Sequence, residues 1–285
     1  INRRLVFSLV DEGYFSEAQF GFHPGRSCPD AFHILLATIE DAAERNREIH
    51  ICLVDLTKAF DSLSPESLQQ AYKHAGLSNK SVKFLGAMDG TGKAQVLTPF
   101  GPTKEVDLKW GVRQGEVLSP LKFITWLNPW LEYAFKKFPN AGYLMEDGTR
   151  VLLLAYADDL AIITSNQEEM QELMSSLCDF LKFHGVTLSA DEKVSKSKTK
   201  YISYNPQAKK SDPAPRIEIS CYNRDSRKGD QKMAKKIILR SLGKSYIFVY
   251  LGGRLSLDLN WSKITDLASK GISRELNRLK KKNLT

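Results

Sequence analysis

The sequence predicts an α+β fold in which helices pack against an antiparallel sheet. Three observations indicate this: a β-branched segment at Ile49–Val54, two apolar runs within residues 151–164 (VLLLAYADDLAIIT), and several amphipathic segments with helical spacing. The two apolar runs have the length of strands and flank two adjacent aspartates. They therefore predict a β-hairpin with both arms in the core.

This hairpin carries Asp158 and Asp159 at its turn. Burying two like charges within a strand is costly, so we expect the two carboxylates at the turn rather than in the core. Two carboxylates on a rigid hairpin suit a divalent metal ion, because Mg²⁺ prefers oxygen ligands. The alternative is that the pair only forms a polar turn, in which Asp is common.

The other segments follow in a definite order. A helix is expected within residues 1–20 and another over 29–45, and the strand Ile49–Val54 ends at Asp55. Ser64-Pro65-Glu66 combines an N-cap, a proline at the first helical position and an early acid, which marks a helix start. Next come a helix over 80–90, a hairpin over 93–109 with Gly101-Pro102 in its turn, helices over 121–136 and 167–184, strands over 201–204 and 246–250, and a basic amphipathic helix over the last 25 residues.

Length and cysteine usage narrow the class of protein. The 285 residues suffice for one large domain or two modest ones. The chain starts at an isoleucine, so we expect it to be cut from a longer protein, and it has neither a signal-peptide pattern nor a membrane-spanning run. Four cysteines without CxxC spacing argue against a zinc site or a disulfide framework and favour an intracellular protein.

The positive charge is concentrated toward the C-terminus. The net charge is +8, yet residues 207–285 hold 19 Lys/Arg against 7 Asp/Glu, whereas residues 1–206 hold 22 against 26. A basic region beside clustered aspartates indicates a polyanion held next to a metal site. A solvated lysine-rich tail is the alternative, above all for Lys280–Lys282.

Five short motifs lie along the chain: QFGFHPGRS at 19–27, DLTKAFD at 55–61, GVRQGEVLSP at 111–120, YADD at 156–159 and YLGG at 250–253. In this order and spacing they resemble the reverse transcriptases of non-LTR (LINE-type) retroelements. His23 stands where the family more often has arginine. The resemblance covers most of the chain and implies a right-hand polymerase core with an antiparallel palm sheet, packed helices, partial fingers and a partial thumb.

The resemblance also implies a division into regions. Residues 1–48 would form partial fingers, 49–205 the catalytic palm with fingers elements, 206–245 a basic insertion that contacts RNA, and 246–285 the primer grip and the start of the thumb. We expect the palm helices on one face of the sheet. Because the family's triphosphate-binding strands would precede residue 1, we expect this chain alone to be weakly active or inactive.

By resemblance, Asp55, Asp158 and Asp159 are the catalytic and metal-binding residues. They would hold two Mg²⁺ ions, with Mn²⁺ as a substitute, and Asp159 would bind less directly than the other two. A pair of ions about 3.5–4 Å apart stabilises both the attacking and the leaving oxygens of an in-line displacement at phosphorus. The alternative for Asp55 is a turn or helix-capping aspartate.

The resemblance assigns the nucleotide and primer contacts as well. Phe60 would lie under the incoming sugar and exclude a ribose 2′-hydroxyl, with an ordinary core phenylalanine as the alternative. The other nucleotide-binding candidates are Arg113, Gln114, Gly115 and Lys198, and the primer grip would be Tyr250, Leu251 and Gly252. Lys193 is a rival to Lys198 for the position near pyrophosphate, and either could be a solvated lysine.

The function implied is RNA-templated DNA synthesis from a DNA primer, using dNTPs. The partners would be the RNA template, the DNA primer or target and the rest of a parent polyprotein, with an endonuclease as one component, and no membrane. The location would be nuclear or cytoplasmic. The alternatives are a degenerate reverse-transcriptase-like RNA-binding module, a group II intron or telomerase-like reverse transcriptase, and an unrelated protein whose aspartates only cap turns.

Overall fold

The computed structural model describes residues 2–90, 92–107, 111–112, 115–209, 211–221, 235–266 and 269–270. The helices in these ranges are α1 Asn2–Asp11, α2 Cys28–Glu44, α3 Ala59–Ser62, α4 Pro65–His74, α5 Asn79–Gly90, α6 Ser119–Lys137 and α7 Gln167–His184. The strands are β1 Ile49–Val54, β2 Lys93–Ala94, β3 Leu97–Thr98, β4 Gly101–Pro102, β5 Val106–Asp107, β6 Tyr143–Leu144, β7 Arg150–Val151, β8 Leu153–Tyr156, β9 Asp159–Thr164, β10 Lys200–Tyr204, β11 Arg216–Cys221, β12 Lys235–Arg240, β13 Phe248–Tyr250 and β14 Gly253–Leu255.

A four-stranded antiparallel sheet forms the centre, in the order β10-β1-β9-β8. Ile51 of β1 lies opposite Ile202 of β10 on one side and Ile163 of β9 on the other. Every residue of β1 is buried. The predicted hairpin over 151–164 is confirmed as β8 and β9, and the predicted strand Ile49–Val54 as β1.

The sheet is covered on both faces. Cys52 and Val54 of β1 point into a core that contains α4, α6 and α7, whereas Ile51 and Leu53 point into a second core with α2 and the β13–β14 hairpin. The prediction that helices pack on one face is therefore wrong. Successive side chains of a strand face opposite ways, so a strand that is buried throughout is covered on both sides.

Most helices and strands begin and end where local sequence signals predict, but the turn predicted at Gly101-Pro102 lies elsewhere. Helix α7 matches the predicted range, and α4 begins at Pro65 after Ser64, whose hydroxyl accepts from the Ser67 N–H. In the hairpin over 93–107, Gly101-Pro102 forms β4 and the tip lies at residues 99–100. The reason is Thr98, whose hydroxyl donates to the Gly101 carbonyl (2.6 Å) and accepts from the Phe100 N–H (3.2 Å), closing the turn two residues earlier.

The basic insertion contains a β-hairpin that the sequence analysis did not predict. Strands β11 and β12 pair antiparallel and bury alternate aliphatic residues beside α7: Ile217, Ile219, Ile237 and Leu239. Gln171 of α7 fixes the edge of this hairpin, because its side-chain amide donates to the Glu218 carbonyl (2.8 Å) and accepts from the Glu218 N–H (2.7 Å). Residues 222–234 and most of the predicted C-terminal helix lie outside the described residues, apart from helical residues 261–266 and 269–270.

The four cysteines are free thiols, as their spacing predicted. Cys52 and Cys178 are buried, and burial raises the pKa of the Cys178 thiol to about 11. Among the helices that the structure describes, none combines the length and the apolar character needed to cross a membrane.

A buried ion pair joins three helices beneath the loop that leads into α6. Lys122 of α6 lies 2.7 Å from the Asp89 carboxylate of α5, and their side chains are 3% and 2% exposed. Tyr72 of α4 donates to the other Asp89 oxygen (2.9 Å), and Glu116 of the loop accepts from Lys122 (3.0 Å). Each charge thus has partners, which offsets the cost of its desolvation.

Lys122→Met should lower the free energy of unfolding by about 3–5 kcal/mol, because it leaves the Asp89 carboxylate buried without its cation. Lys136→Met is the matched control, since Lys136 is 79% exposed in its pair with Glu132 and should contribute at most about 1 kcal/mol. Urea unfolding of both variants measures the difference. Equal small losses would show that the buried pair does not hold these helices together.

Candidate active site

Asp55 lies where β1 ends, directly across from the hairpin turn. Val54 pairs with Leu160 in the β1–β9 register, so the next step of the antiparallel ladder brings Asp55 opposite Asp159. Residues opposite each other in such a ladder have Cα atoms about 4.5–5.5 Å apart. The sheet therefore brings together two carboxylates that are about a hundred positions apart in the sequence.

The backbone of Asp55 is held by residues that follow α7. The Thr199 hydroxyl accepts from the Asp55 N–H (3.2 Å) and donates to its carbonyl (3.3 Å), and the Ser189 N–H donates to the same carbonyl (2.8 Å). Thr199 is buried. The sequence analysis named Lys198 and missed Thr199. The only indication for Thr199 in the sequence is its position directly after Lys198.

Asp158 and Asp159 lie at the hairpin turn, as predicted. Tyr156 of β8 pairs with Asp159 of β9, and Ala157 and Asp158 connect them. Ala157 is buried with φ +54°, in the left-handed region that non-glycine residues seldom adopt. Asp158 is half-buried and Asp159 is exposed.

Burial and neighbouring charge raise the pKa of both aspartates at the turn. Burial raises the pKa of Asp158, and the charge of Asp55 raises it further, against a lowering by a backbone hydrogen bond at Asp158 itself. Burial also raises the pKa of Asp159, with added repulsion from Asp158 and Asp55. These couplings indicate that the three groups share one electrostatic environment, which a cation would relieve.

The donor set fits a hard divalent cation. Asp55 presents a buried oxygen, Oδ2, that has no hydrogen-bond partner among the described residues. Within the described part of the chain, no three His, Cys, Asp or Glu side chains already form a metal-binding group. Mg²⁺ usually takes one or two protein carboxylates and completes its shell with water and substrate phosphates, so it does not require such a group.

A cleft beside the carboxylates offers basic side chains. Its volume is about 320 Å³, and Asp55, Asp159, Lys198 and Lys200 contribute to its walls. The Lys198 ammonium lies 3.8 Å from Asp55 Oδ2 and is 72% exposed, so it combines proximity with access to solvent. Its rival Lys193 is exposed and does not line this cleft.

Phe60 belongs to α3, and the loop after residue 110 contacts this helix. The ring of Phe60 stacks on Phe123 with centroids 4.8 Å apart, and its carbonyl accepts from the Val112 N–H (2.8 Å). Gly111 has φ +91°, and a Cβ there would lie 2.9 Å from the Cα of Asp61, so only glycine allows this approach. Gly115 has φ +88° and open space on its side-chain side.

Two predicted nucleotide-binding residues, Arg113 and Gln114, lie outside the described residues. Their roles remain predictions.

The predicted primer-grip residues form a tight turn against both α2 and the β8–β9 hairpin. Tyr250 is buried, and its hydroxyl donates to the Leu154 carbonyl of β8 (3.2 Å), so its ring supports the sheet. Leu251 (φ +48°) and Gly252 (φ +84°) form the turn, and Leu251 contributes to the wall of the cleft. A Cβ on Gly253 would overlap the Phe32 ring of α2 at 2.1 Å, which explains the second glycine of the motif.

An antiparallel sheet with helices on its faces and carboxylates clustered at one end is the palm of a right-hand polymerase core, the predicted fold class. The sequence pattern of the reverse transcriptase (RNA-dependent DNA polymerase) family matches residues 1–206. The chain belongs to this family, and its predicted resemblance to non-LTR reverse transcriptases is confirmed.

Relatives and solved structures agree with this assignment. The chain is 26% identical over 164 residues to the Pol polyprotein of the type-1 retrotransposable element R2 of Popillia japonica, covering 57% of this chain and 23% of that protein. It is 26% identical over 192 residues to the R2DM Pol polyprotein of Drosophila melanogaster, covering 67% and 18%. The structure of apo telomerase from Candida tropicalis has the same fold at 14% identity, with a TM-score of 0.53, and covers 90% of this chain and 44% of that one. The chain thus spans about a fifth of the two R2 polyproteins.

Asp159→Asn should stabilise the chain when a chelator is present. A raised folded-state pKa favours folding below the unfolded pKa of about 3.9, and this advantage is lost as pH rises through the folded pKa. At pH 7 the ionised carboxylate is therefore unfavourable, and the variant should gain about 0.3–1 kcal/mol there and nothing near pH 3.

Urea unfolding at both pH values measures this difference, with Asp179→Asn on the exposed face of α7 as control. A variant that is less stable than wild type at pH 7 would contradict the repulsion inferred at the turn.

Proposed function

We propose that this chain is the catalytic core of a non-LTR retroelement polyprotein that extends a DNA primer on an RNA template. The observation that carries the proposal is the meeting of Asp55 with the Asp158–Asp159 turn at one end of the sheet of a reverse transcriptase family member. The proposal includes the regions named from the sequence. These are partial fingers over 1–48, the palm over 49–205, an RNA-contacting insertion over 206–245, and the primer grip with the start of the thumb over 246–285.

In this proposal Asp55 and Asp158 hold divalent cations, Mg²⁺ or Mn²⁺, and Asp159 supports them. When bound, such ions stabilise the attacking 3′-oxygen and the leaving oxygen of an in-line displacement. The contribution of the chain is to hold the carboxylates in place before substrate arrives. The bonds from Thr199 and Ser189 to the Asp55 backbone support this, because they fix the strand end that carries the first ligand.

Lys198 is proposed to act on the departing pyrophosphate. Its ammonium group is next to Asp55 and open to solvent, so it can contact an anion in the cleft without first being uncovered. A cation at this position offsets charge that develops on the leaving group, or donates a proton to it.

Phe60 and Gly115 are proposed to shape the nucleotide site, together with Arg113 and Gln114. The Phe60 ring is packed on Phe123, so it is a rigid wall that can reject a ribose 2′-hydroxyl by contact. Gly115 leaves open space in which a nucleotide could approach the backbone. Tyr250 and Leu251, which line the cleft, are proposed to support the primer end together with the adjacent Gly252.

The substrates and partners follow from the same proposal. They are dNTPs, an RNA template, a DNA primer or target, and the remaining domains of a polyprotein, an endonuclease among them. The excess of basic residues after residue 206 supports contact with a nucleic acid backbone. We propose an intracellular location, nuclear or cytoplasmic.

Asp158→Asn should reduce primer extension on an RNA template by at least about 10³-fold, since it removes a carboxylate from the reaction centre. Lys198→Met should reduce it by about 10- to 100-fold, and Lys193→Met, which changes an exposed lysine outside the cleft, should leave it unchanged. The assay is run on this chain and on the longer polyprotein, with DNA templates and ribonucleotides as further substrates.

Two results would count against the proposal. Extension that persists in Asp158→Asn would remove the carboxylate from the chemistry. If the wild-type polyprotein binds RNA equally well with a chelator and shows no extension, it is a degenerate RNA-binding module instead. Phe60→Val should admit ribonucleotides, and unchanged selection against them would exclude Phe60 as the sugar gate.

A further inference from the structure

A fully buried glutamine contacts the turn that carries the proposed catalytic aspartates. Gln19 is 0% exposed, and its Oε1 accepts two hydrogen bonds, from the Gly21 N–H (2.9 Å) and from the Ala157 N–H (3.1 Å). Its amide nitrogen has no partner within the described part of the chain. The oxygen is therefore the atom through which this side chain acts, and it joins two segments 138 positions apart.

Ala157 needs such a restraint. Its left-handed backbone (φ +54°) immediately precedes Asp158, so the torsion angles of Ala157 determine where the Asp158 carboxylate points. A non-glycine residue keeps this conformation only where its surroundings impose it. The bond from its N–H to Gln19 is one such restraint.

The backbone next to Gln19 is fitted to the same turn. A Cβ on Gly21 would lie 2.6 Å from the Ala157 nitrogen, so a glycine is required for this approach. On either side of Gln19, the Phe20 N–H donates to the Ala155 carbonyl (2.7 Å) and the Ala155 N–H donates to the Ala18 carbonyl (2.8 Å). Gln19 thus forms a parallel bridge with Ala155 of β8, which fixes the register of residues 16–26, the brace segment, at this point.

Arg26 secures the brace segment from its other end. Its guanidinium donates to the carbonyls of Ser16 (3.3 Å), Gln19 (3.1 Å) and Glu17, and it lies over the Phe20 ring at 5.6 Å. Several bonds from one planar group fix the backbone that presents Gln19. Gln19 and Arg26, near the two ends of the QFGFHPGRS motif, therefore both help to hold the brace segment against the turn at Ala157.

We propose that Gln19 is a positioning residue for catalysis: it imposes the left-handed conformation of Ala157 and so directs the Asp158 carboxylate toward the reaction centre. The proposal rests on the proposed function, because it assigns Asp158 a catalytic role. A merely structural Gln19 would contribute to stability and leave the turnover of the folded enzyme unchanged.

The test replaces the accepting oxygen while keeping the shape of the side chain, in Gln19→Met. The control is Asn128→Leu, because Asn128 is equally buried. Its side-chain oxygen accepts from the Ser16 N–H (2.7 Å), and its side-chain nitrogen donates to the Tyr14 carbonyl (2.7 Å) and to Glu132. None of these hydrogen bonds reaches the turn at Ala157. Gly21→Ala is a second variant that disturbs Ala157 from the backbone side. Hydrogen exchange is measured with resolution of the Ala157 amide, alongside unfolding free energy and primer-extension kinetics.

The proposal predicts that Ala157 exchanges at least about tenfold faster in Gln19→Met and Gly21→Ala than in Asn128→Leu once global stability is taken into account. It also predicts that kcat falls by about 10- to 100-fold in both, with KM for dNTP changed less than about threefold. Unchanged exchange at Ala157, or faster exchange with an unchanged kcat, would overturn the proposal. The kinetics are measured on the longer polyprotein. If the wild-type polyprotein shows no extension at all, the proposed function fails, and the exchange result still decides whether Gln19 holds the turn.

Discussion

The partial burial of neighbouring carboxylates at one end of the central sheet is the constraint on which the rest of this structure depends. Asp55 lies at the end of β1, and Asp158 and Asp159 lie at the β8–β9 turn across from it. Burial, and then the charge of Asp55, raises the pKa of Asp158; burial, and then the charges of Asp158 and Asp55, raises that of Asp159, so the folded chain keeps these groups together at a cost. Such an arrangement is typical of functional sites, where a bound cation or substrate offsets the unfavourable energy of the clustered carboxylates.

The backbone around the carboxylates is tied down from distant parts of the sequence. Thr199 and Ser189 fix Asp55 from the segment after α7, and Gln19 bonds the turn before Asp158. Tyr250 ties the turn at Leu251 and Gly252 to β8. Each restraint acts on the main chain rather than on a carboxylate, which leaves the acidic oxygens free for ligands.

The sequence predicted those features that depend on local pattern. β-branched content identified β1, apolar runs identified the β8–β9 hairpin, and helical periodicity identified α7. Asp158 and Asp159 were predicted at the turn because burying a carboxylate pair within a strand is costly, whereas the resemblance to the family singled out Asp55. The placement of α2 on the second face was missed, since a buried strand does not say which element covers each side.

Features that depend on tertiary partners were not predictable in this way. The β11–β12 hairpin alternates aliphatic and charged residues, but its charged positions resemble a loop until α7 supplies the surface that its aliphatic residues cover. Thr199 and Gln19 are ordinary polar residues in sequence, and their importance comes from the backbone groups they meet after folding. The lysine choice could not be made from spacing, whereas proximity to Asp55 and the cleft favours Lys198 over Lys193.

The central claim is that Asp55 and Asp158 bind a divalent cation jointly. Binding of Mn²⁺, followed by electron paramagnetic resonance on wild type, Asp55→Asn and Asp158→Asn, tests it most directly, with Asp179→Asn as control. The account predicts that each site variant weakens Mn²⁺ binding by at least about tenfold while the control binds as wild type does. Equal Mn²⁺ affinity in wild type and in either site variant would contradict it.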